Sequence, residues 1–338
     1  MEPLTHGLTS IALGRAGLNK VTRMATPMLL VAGYAPDVDW ITFFMGVPAM
    51  FHYRRAITHS LAGAATLAVL VAAVFWWFGR KHPTAPVRFW RALAVCGIGA
   101  GSHLLLDLPN RYGMRLYWPF SGTWVAWNII DTVDVGVLAA LLLGLLLPGL
   151  FRLVSEEIGA RPARRGGQRG AIVALALLAV YATGRFVLQH RAVQVLSARL
   201  YHGEAPLDVG AFPSYVSPFA WRGIVETENT LEELEVRLGP GSTFDPDRSV
   251  TNYKPEPSPM LEAARQTRTF AEFIASARFP LARVVRTRDG YRVELRDLRF
   301  SKDTTRWDGF LAIVELDDEM HVLKELIGSS QQAKQNSR

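Results

Sequence analysis

The stretch RALAVCGIGAGSHLLLDLPN, residues 91–110, carries the two features that decide the fold of this chain. Its run over 92–108 is apolar and long enough to cross the roughly 30 Å hydrocarbon core of a bilayer. The same run ends in His103 and Asp107, which are separated by about one helical turn and therefore share one face. The stretch predicts a membrane-spanning helix that carries a polar site at one end.

Three further apolar runs of similar length occur over 61–78, 135–151 and 170–188. Two shorter runs, over 4–14 and 24–36, come before them and fit a packed helical pair better than full spans. Hydrophobic residues make up 49% of the 338 residues and charged residues 20%, which is too apolar for an ordinary soluble protein. The sequence therefore predicts an α-helical integral membrane bundle with four clear spans and an N-terminal pair of short helices.

The formal net charge of +7 lies entirely in the apolar half of the chain. Residues 1–188 hold 17 Lys and Arg against 8 Asp and Glu, whereas residues 189–338 hold 20 against 22. This distribution is typical of charges that set membrane topology, and it argues against nucleic acid as a partner. We assign the positive loops 79–91 and 152–169 to the cytoplasm, which puts the chain after the last span on the outer side.

Beyond residue 200 the chain changes to Pro-rich loops and alternating apolar segments, a pattern typical of antiparallel strands. Asp289-Gly290 supplies the positive φ angles that a tight hairpin turn needs. We predict a membrane domain over 1–190, a β-rich soluble domain over 200–327 and a disordered tail over 328–338. The predicted strand pairs are 221–227 with 231–238, 283–288 with 291–298, and 309–316 with 321–326.

Several ionisable side chains lie at the ends of the apolar segments, on the side that the charge rule makes the outer one. An Asp at the centre of a membrane helix costs about 2.5–3.5 kcal/mol, so such residues usually serve a purpose. The single Cys96 excludes a Cys-based metal site, which leaves imidazoles and carboxylates. This mixture predicts a site for one or two divalent ions, Zn²⁺ first, with Mn²⁺ or Fe²⁺ as alternatives. The residues in this layer are His6, Asp37, Asp39, His59, His103, Asp107, Asp131 and Asp134.

Two local patterns add detail to this site. Pro36 ends the preceding helix, so we expect Asp37 and Asp39 on an extended turn with both carboxylates pointing the same way. Gly97 and Gly101 lie about one turn apart on the helix of His103, where they are expected to let a neighbouring helix approach closely. Both patterns favour convergence of ligands from different segments.

Several short motifs follow one another along the first half of the chain. They are Thr5-His6-Gly7, Pro36-Asp-Val-Asp39, Arg55-Ala-Ile-Thr-His-Ser60, and His103-Leu-Leu-Leu-Asp107 followed by Asn110, Gly113 and Pro119-Phe120. The order of these motifs resembles that of the YdjM-like membrane-bound, metal-dependent hydrolases of bacterial inner membranes. The resemblance covers about residues 1–150, and it extends to 218–223 and 297–300, which are similar to the family's β-rich extension.

The resemblance implies a multi-pass inner-membrane protein, and the loop charges put its C-terminal domain in the periplasm. One departure from the family pattern concerns a His that commonly opens the Thr-His-Ser motif. That position is Arg54 here, and His52 lies two residues away, so either His52 substitutes for it or the site has one imidazole fewer. The metal or catalytic positions implied by the resemblance are His6, Asp37, Asp39, His59, His103 and Asp107.

The favoured function is a metal-dependent hydrolase acting on a phosphoester or ester of a membrane lipid or lipid-linked amphiphile at the outer face of the membrane. Asp39 and Asp107 are candidates for general-base work, and Asn110 for orienting the substrate. Arg55 and Arg54 are candidates either for clamping an anionic group or for anchoring the chain at the membrane interface. The main alternative is a non-enzymatic membrane protein with a structural metal and a partner-binding β domain. A transporter fits less well, because its polar residues should line both leaflets.

Overall fold

The computed structural model describes residues 1–45, 47–158, 166–214, 217–239, 249–300 and 310–329. Contacts between residues divide the chain into two compact units. The first unit contains Met1–Trp40 and Arg54–Val187, and the second contains Ile41–Tyr53 and Leu188–Arg338. Helices build the first unit, whereas antiparallel strands dominate the second.

Apolar composition determines the helices of the first unit, because a segment in hydrocarbon must satisfy its backbone hydrogen bonds internally. The runs over 61–78, 92–108, 135–151 and 170–188 coincide with helices that are long and apolar enough to cross a membrane. The prediction of a helical membrane part followed by a β domain is confirmed. The α-helices before the strands are α1 Pro3–Ala16, α2 Ala25–Tyr34, α3 Val47–Tyr53, α4 Leu61–Gly79, α5 Phe89–Asp107, α6 Val135–Glu157 and α7 Gly166–Ser197.

A 3₁₀ helix over Ala35–Met45 continues directly from α2. Proline fixes φ at roughly −65° and lacks only the backbone donor, so Pro36 fits the first turn of this helix. The prediction of an extended turn at Asp37 and Asp39 is therefore wrong, since the backbone there is helical. Together α2 and the 3₁₀ helix give an apolar stretch over Ala25–Met45, which is a fifth candidate span among the described residues.

Close packing of α5 against α2 depends on a glycine other than the two expected. A Cβ built on Gly99 would lie 3.0 Å from the Leu29 carbonyl oxygen, whereas one built on Gly97 or Gly101 would have no neighbour within 4 Å. The prediction that Gly97 and Gly101 allow a helix to approach is therefore wrong within this unit. Gly99 lies on the buried face of α5, and the His103 end of that helix packs against α2 through this face.

Two four-stranded antiparallel sheets build most of the second unit, each with its strands in sequential order. The three predicted strand pairs are confirmed as β2 with β3, β5 with β6 and β7 with β8. Gly290 has a φ of 141° in the turn between β5 and β6, a value that glycine adopts without strain. The strands are β1 Asp208–Pro213, β2 Ala220–Glu226, β3 Thr230–Arg237, β4 Val250–Tyr253, β5 Pro280–Arg286, β6 Tyr291–Asp297, β7 Phe310–Leu316 and β8 Val322–Ser329.

The sequence did not predict the helices α8 Pro259–Arg265 and α9 Arg268–Ser276. Both begin at a side-chain cap, since the hydroxyls of Ser258 and Thr267 accept from backbone donors of the first turn. Their apolar faces pack on the sheet β5–β8, where Phe270 contributes a fully buried ring.

The last turns of α7 belong to the second unit. Ala192 and Leu196 are fully buried there, in a cluster with Trp221 and Val225 of β2. This helix end therefore supplies part of the core beneath the sheet β1–β4.

Some sequence-based interpretations concern residues outside the described part of the chain. They include Arg161, Arg164 and Arg165 of the second positive loop, Gly309 at the start of a predicted strand, and 330–338 of the predicted tail. Gly328 and Ser329, assigned to the tail from the sequence, belong to β8. The disorder of 330–338 stays a prediction.

Candidate metal centre

Four segments of the first unit bring their polar side chains together. His6 comes from α1, Asp37 from the 3₁₀ helix, and His59 from the turn before α4. His103 and Asp107 come from the last turns of α5, where their spacing puts them on one face as predicted. Both side chains are fully buried, as is that of His59, whereas the Asp37 side chain is 22% exposed. Asp37 is thus the member of the cluster that solvent reaches.

Hydrogen bonds at Nδ1 determine the tautomers of two histidines. His103 Nδ1 lies 2.7 Å from the carbonyl oxygen of Gly33, which can only accept, so Nδ1 carries the proton. His59 Nδ1 lies 3.0 Å from Asp39 Oδ2 and donates to that carboxylate in the same way. In their neutral forms, both rings therefore present an unprotonated Nε2.

The two unprotonated Nε2 atoms face each other. His59 Nε2 and His103 Nε2 are 3.1 Å apart, and neither carries a hydrogen to share in these tautomers. Burial lowers the pKa of His59, which keeps its ring neutral. Two lone pairs at this distance repel each other unless a cation lies between them, which is how metal-binding imidazoles are arranged.

Two carboxylates complete a set of four ligand atoms. Asp107 Oδ2 lies 3.4 Å from His59 Nε2 and 3.8 Å from His103 Nε2. Asp37 Oδ1 lies 3.8 Å and 3.9 Å from the same two nitrogens. Metal–ligand bonds of about 2.0–2.1 Å in a tetrahedral zinc site imply ligand separations of about 3.3–3.4 Å. The two imidazoles with either carboxylate therefore fit a divalent ion after small side-chain adjustments.

Asp39 lies behind His59 and outside this set of four. Its Oδ2 accepts from His59 Nδ1 at 3.0 Å, from the Thr58 hydroxyl at 3.1 Å and from the backbone N–H of Arg55 at 2.8 Å. Carboxylates in this position hold the ring of a metal-binding histidine in place. The structure thus gives Asp39 an orienting contact, where the sequence suggested a ligand or general base.

Arg55 and Asn110 flank Asp107. Arg55 Nη2 lies 2.9 Å from Asp107 Oδ2, and its Nη1 donates to Asn110 Oδ1 at 3.2 Å. Burial is the main cause that lowers the pKa of Arg55 to about 10, so the guanidinium stays charged at neutral pH. Asn110 Oδ1 also accepts from the backbone N–H of Tyr112 at 2.9 Å. Asn110 therefore positions Arg55 and its own turn, and the proposed substrate contact stays a prediction.

His6 contacts the cluster from one side. Its ring stacks on His103 with 4.0 Å between centroids and 16° between planes, and its Nε2 lies 3.4 Å from Asp107 Oδ1. The residue is 2% exposed, yet neither ring nitrogen makes a hydrogen bond. Burial lowers the pKa of His6, so the ring is neutral. The amino group of Met1, which sequence reasoning missed, contacts the same oxygen of Asp107.

Two other carboxylates of the predicted polar layer have separate contacts. Asp131 pairs with Arg111 in a buried ion pair. Asp134 caps α6 through the backbone N–H of Val137 and accepts from the Tyr181 hydroxyl at 3.0 Å. Among the described residues, two groups of His and carboxylate side chains have ligand atoms within 4.8 Å of one another: His6, His103 and Asp107, and Asp37, His59 and His103. Asp131 and Asp134 belong to neither ligand group.

The departure from the family motif is visible in the structure. His52 lies in the second unit, with its Nδ1 3.8 Å from Glu272 Oε1, and it belongs to neither ligand group of the described chain. Arg54 stacks its guanidinium on the ring of Trp40 at 4.0 Å. Substitution by His52 and a site with one imidazole fewer both stay predictions.

Comparisons with known proteins agree with the motifs. The family model described as YdjM inner membrane protein matches residues 1–192, and the one described as YfhP C-terminal alpha/beta plait domain matches residues 259–337. The uncharacterized protein YfhP of Bacillus subtilis (strain 168) is 28% identical over 142 residues, which is 40% of this chain and 42% of that protein. The chain thus aligns with less than half of that relative. No solved structure matches the chain. Since the YdjM model covers more than half of the chain, the protein belongs to the YdjM family of multi-pass inner membrane proteins.

Proposed function

We propose that this protein is a membrane-bound hydrolase that depends on a divalent metal ion held by His59, His103, Asp37 and Asp107. The observation that supports this proposal most directly is the 3.1 Å contact between two unprotonated Nε2 atoms. Zn²⁺ suits the mixed imidazole and carboxylate ligands best, and Mn²⁺ or Fe²⁺ would also bind. When the partly exposed Asp37 gives up its place to water, as the open position of a catalytic zinc site requires, such an ion would supply Lewis-acid activation of water and of a phosphoryl or acyl oxygen.

The chain's own residues have distinct roles in this proposal. Asp39 keeps the His59 ring in its ligating orientation, and Arg55 holds Asp107 by its Oδ2. Asp37 is the partly exposed ligand, so substrate and water would enter beside it. The surrounding helices exclude bulk water from the rest of the cluster, which strengthens its electrostatic interactions.

The charge pattern supports a site at the periplasmic end of the bundle. α5 begins at Phe89, at the end of the positive loop 79–91, and ends at Asp107, so a cytoplasmic loop would put the cluster on the opposite side of the membrane. Lys20 Nζ donates to Gln168 Oε1 at 3.2 Å, which brings the positive segment after α1 next to the start of α7. From that cytoplasmic end, α7 would cross the membrane to its outer side, so the second unit is periplasmic in this proposal. A site at this depth favours lipid or lipid-linked substrates.

Metal analysis and hydrolysis assays test the proposal together. The protein, purified in detergent without chelators, should contain stoichiometric metal and should hydrolyse at least one member of a panel of lipid phosphates and acyl esters. His103→Ala should lose both properties, whereas His82→Ala, which removes an exposed imidazole in the 79–91 loop, should keep both. If wild-type protein still contains no bound metal after reconstitution with Zn²⁺ and Mn²⁺, the proposal is contradicted.

A further inference from the structure

His6 cannot bind the same ion as His103, although their nitrogens are close. A metal ion bound by an imidazole lies in the plane of the ring, along the nitrogen lone pair. The His6 and His103 rings are stacked at 4.0 Å and nearly parallel, so an ion in the plane of one ring lies well outside the plane of the other. The buried His6 ring, which makes no hydrogen bond, therefore requires another partner.

Asp107 presents its two oxygens to different partners. Oδ2 faces His59 and His103, whereas Oδ1 lies 3.4 Å from His6 Nε2. This distance again matches the separation of two atoms that bind one ion, which is about 3.3–3.4 Å. A carboxylate placed in this way bridges two ions in many two-metal hydrolytic sites.

The charges of the cluster limit when a second ion can bind. Asp37, Asp39 and Asp107 contribute three negative charges and Arg55 one positive charge, so a single divalent ion brings the site to neutrality. The Met1 amino group contacts Asp107 Oδ1, and the second ion would take its place there. A second divalent ion would leave two uncompensated positive charges in a buried site, which is unfavourable unless an anion enters with it.

We propose that His6 Nε2 and Asp107 Oδ1 hold a second divalent ion that binds together with a phosphate dianion, which makes a phosphomonoester the substrate. This proposal rests on the proposed function, since Asp107 also serves the first ion. Two protein ligands are enough when substrate phosphate and water complete the coordination, as is usual for ions at phosphoryl-transfer sites. A phosphodiester carries one negative charge and a carboxylic ester none, so neither would balance the second ion.

The reaction that this site would carry out is hydrolysis of a phosphate monoester. The oxygen of one water forms a bond to phosphorus, and the bond between phosphorus and the ester oxygen breaks. The departing oxygen takes up a proton, which gives one alcohol and one inorganic phosphate. The alcohol could belong to a lipid or to a soluble compound.

Metal stoichiometry in the presence and absence of inorganic phosphate tests the proposal. The full chain in detergent is dialysed against Mn²⁺, and bound metal is counted by mass spectrometry, with electron paramagnetic resonance to detect coupling between two Mn²⁺ ions. Wild type should bind one ion without phosphate and two coupled ions with it. His6→Ala and the bulkier His6→Gln should bind one ion in both conditions, and His82→Ala should behave like wild type.

Each other outcome has a definite meaning. Wild type that binds one ion regardless of phosphate, or His6 variants that still bind two, would overturn the second site; wild type with two ions in the absence of phosphate would overturn its dependence on the anion. Wild type with no ion would instead contradict the proposed function.

Phosphatidate in nanodiscs and glycerol 3-phosphate in solution replace inorganic phosphate in a second series. The compound that gives the second ion at the lower concentration identifies the source, and failure of both would contradict the proposal.

Discussion

Replacing Asp39 by Asn tests whether this carboxylate acts through His59 or binds the ion itself. Its Oδ2 accepts three hydrogen bonds, from His59 at 3.0 Å, Thr58 at 3.1 Å and the backbone of Arg55 at 2.8 Å. Asn can keep these bonds through its amide oxygen, but it loses the charge that makes His59 Nε2 a strong ligand. Removing such an orienting group typically weakens metal binding about 10–100-fold, which corresponds to about 1.4–2.8 kcal/mol.

The measurement is a competition titration of Zn²⁺ against a chromophoric chelator, with wild type, Asp39→Asn, His103→Ala and Asp134→Asn compared in one detergent. Asp134→Asn is the matched control, because Asn caps a helix about as well as Asp and this residue lies outside the cluster. An Asp39→Asn affinity equal to that of wild type would refute the orienting contact. Complete loss of binding, as expected for His103→Ala, would make Asp39 a direct ligand.

Three other predictions concern the fold and its orientation. Gly99→Ala should lower the melting temperature in detergent, with a cost of about 1–3 kcal/mol for an overpacked helix contact, whereas Gly97→Ala, which meets no neighbour within 4 Å, should leave it unchanged. Equal melting of both variants would contradict the α2–α5 packing. A reporter that works only in the periplasm should be active when fused after Arg338, and activity of a cytoplasmic reporter there would reverse the proposed topology. Chelation should destabilise the first unit by about 2.7 kcal/mol when wild type had been held at 100 times its metal Kd, and a melting curve that chelation does not shift would contradict a bound ion.

Hydropathy and turn chemistry were enough to predict most secondary structure. The spans follow from composition, because hydrocarbon admits few polar residues. The turn at Asp289-Gly290 follows from the backbone freedom of glycine, and β5 and β6 pair on either side of it. The short edge strand β4 was missed, since only four residues pair with β3 and their sequence does not alternate. Short edge strands are specified mainly by their neighbours.

The candidate site was predictable where it depends on spacing and not where it depends on contacts. His103 and Asp107 share a face because of the helical period, which a sequence displays directly. The tautomer of His103 depends on the carbonyl of Gly33, a backbone atom that no motif identifies. The stacking of His6 on His103 likewise depends on how α1 packs beside α5, so the sequence did not show that these two rings are stacked.

The continuity of α7 sets a limit on how the protein can be dissected. Its 32 residues make a rod of about 48 Å, longer than the roughly 30 Å that a bilayer requires. A soluble fragment cut where the composition changes, at residue 200, would lose Ala192 and Leu196 and would expose the face of Trp221 that they cover. Loss of a buried leucine alone removes about 1.5–3 kcal/mol of burial energy. A fragment that carries the C-terminal part of the second unit, without its Ile41–Tyr53 segment, should therefore begin no later than Leu188. A water-soluble domain of this protein must retain part of what looks like a membrane helix.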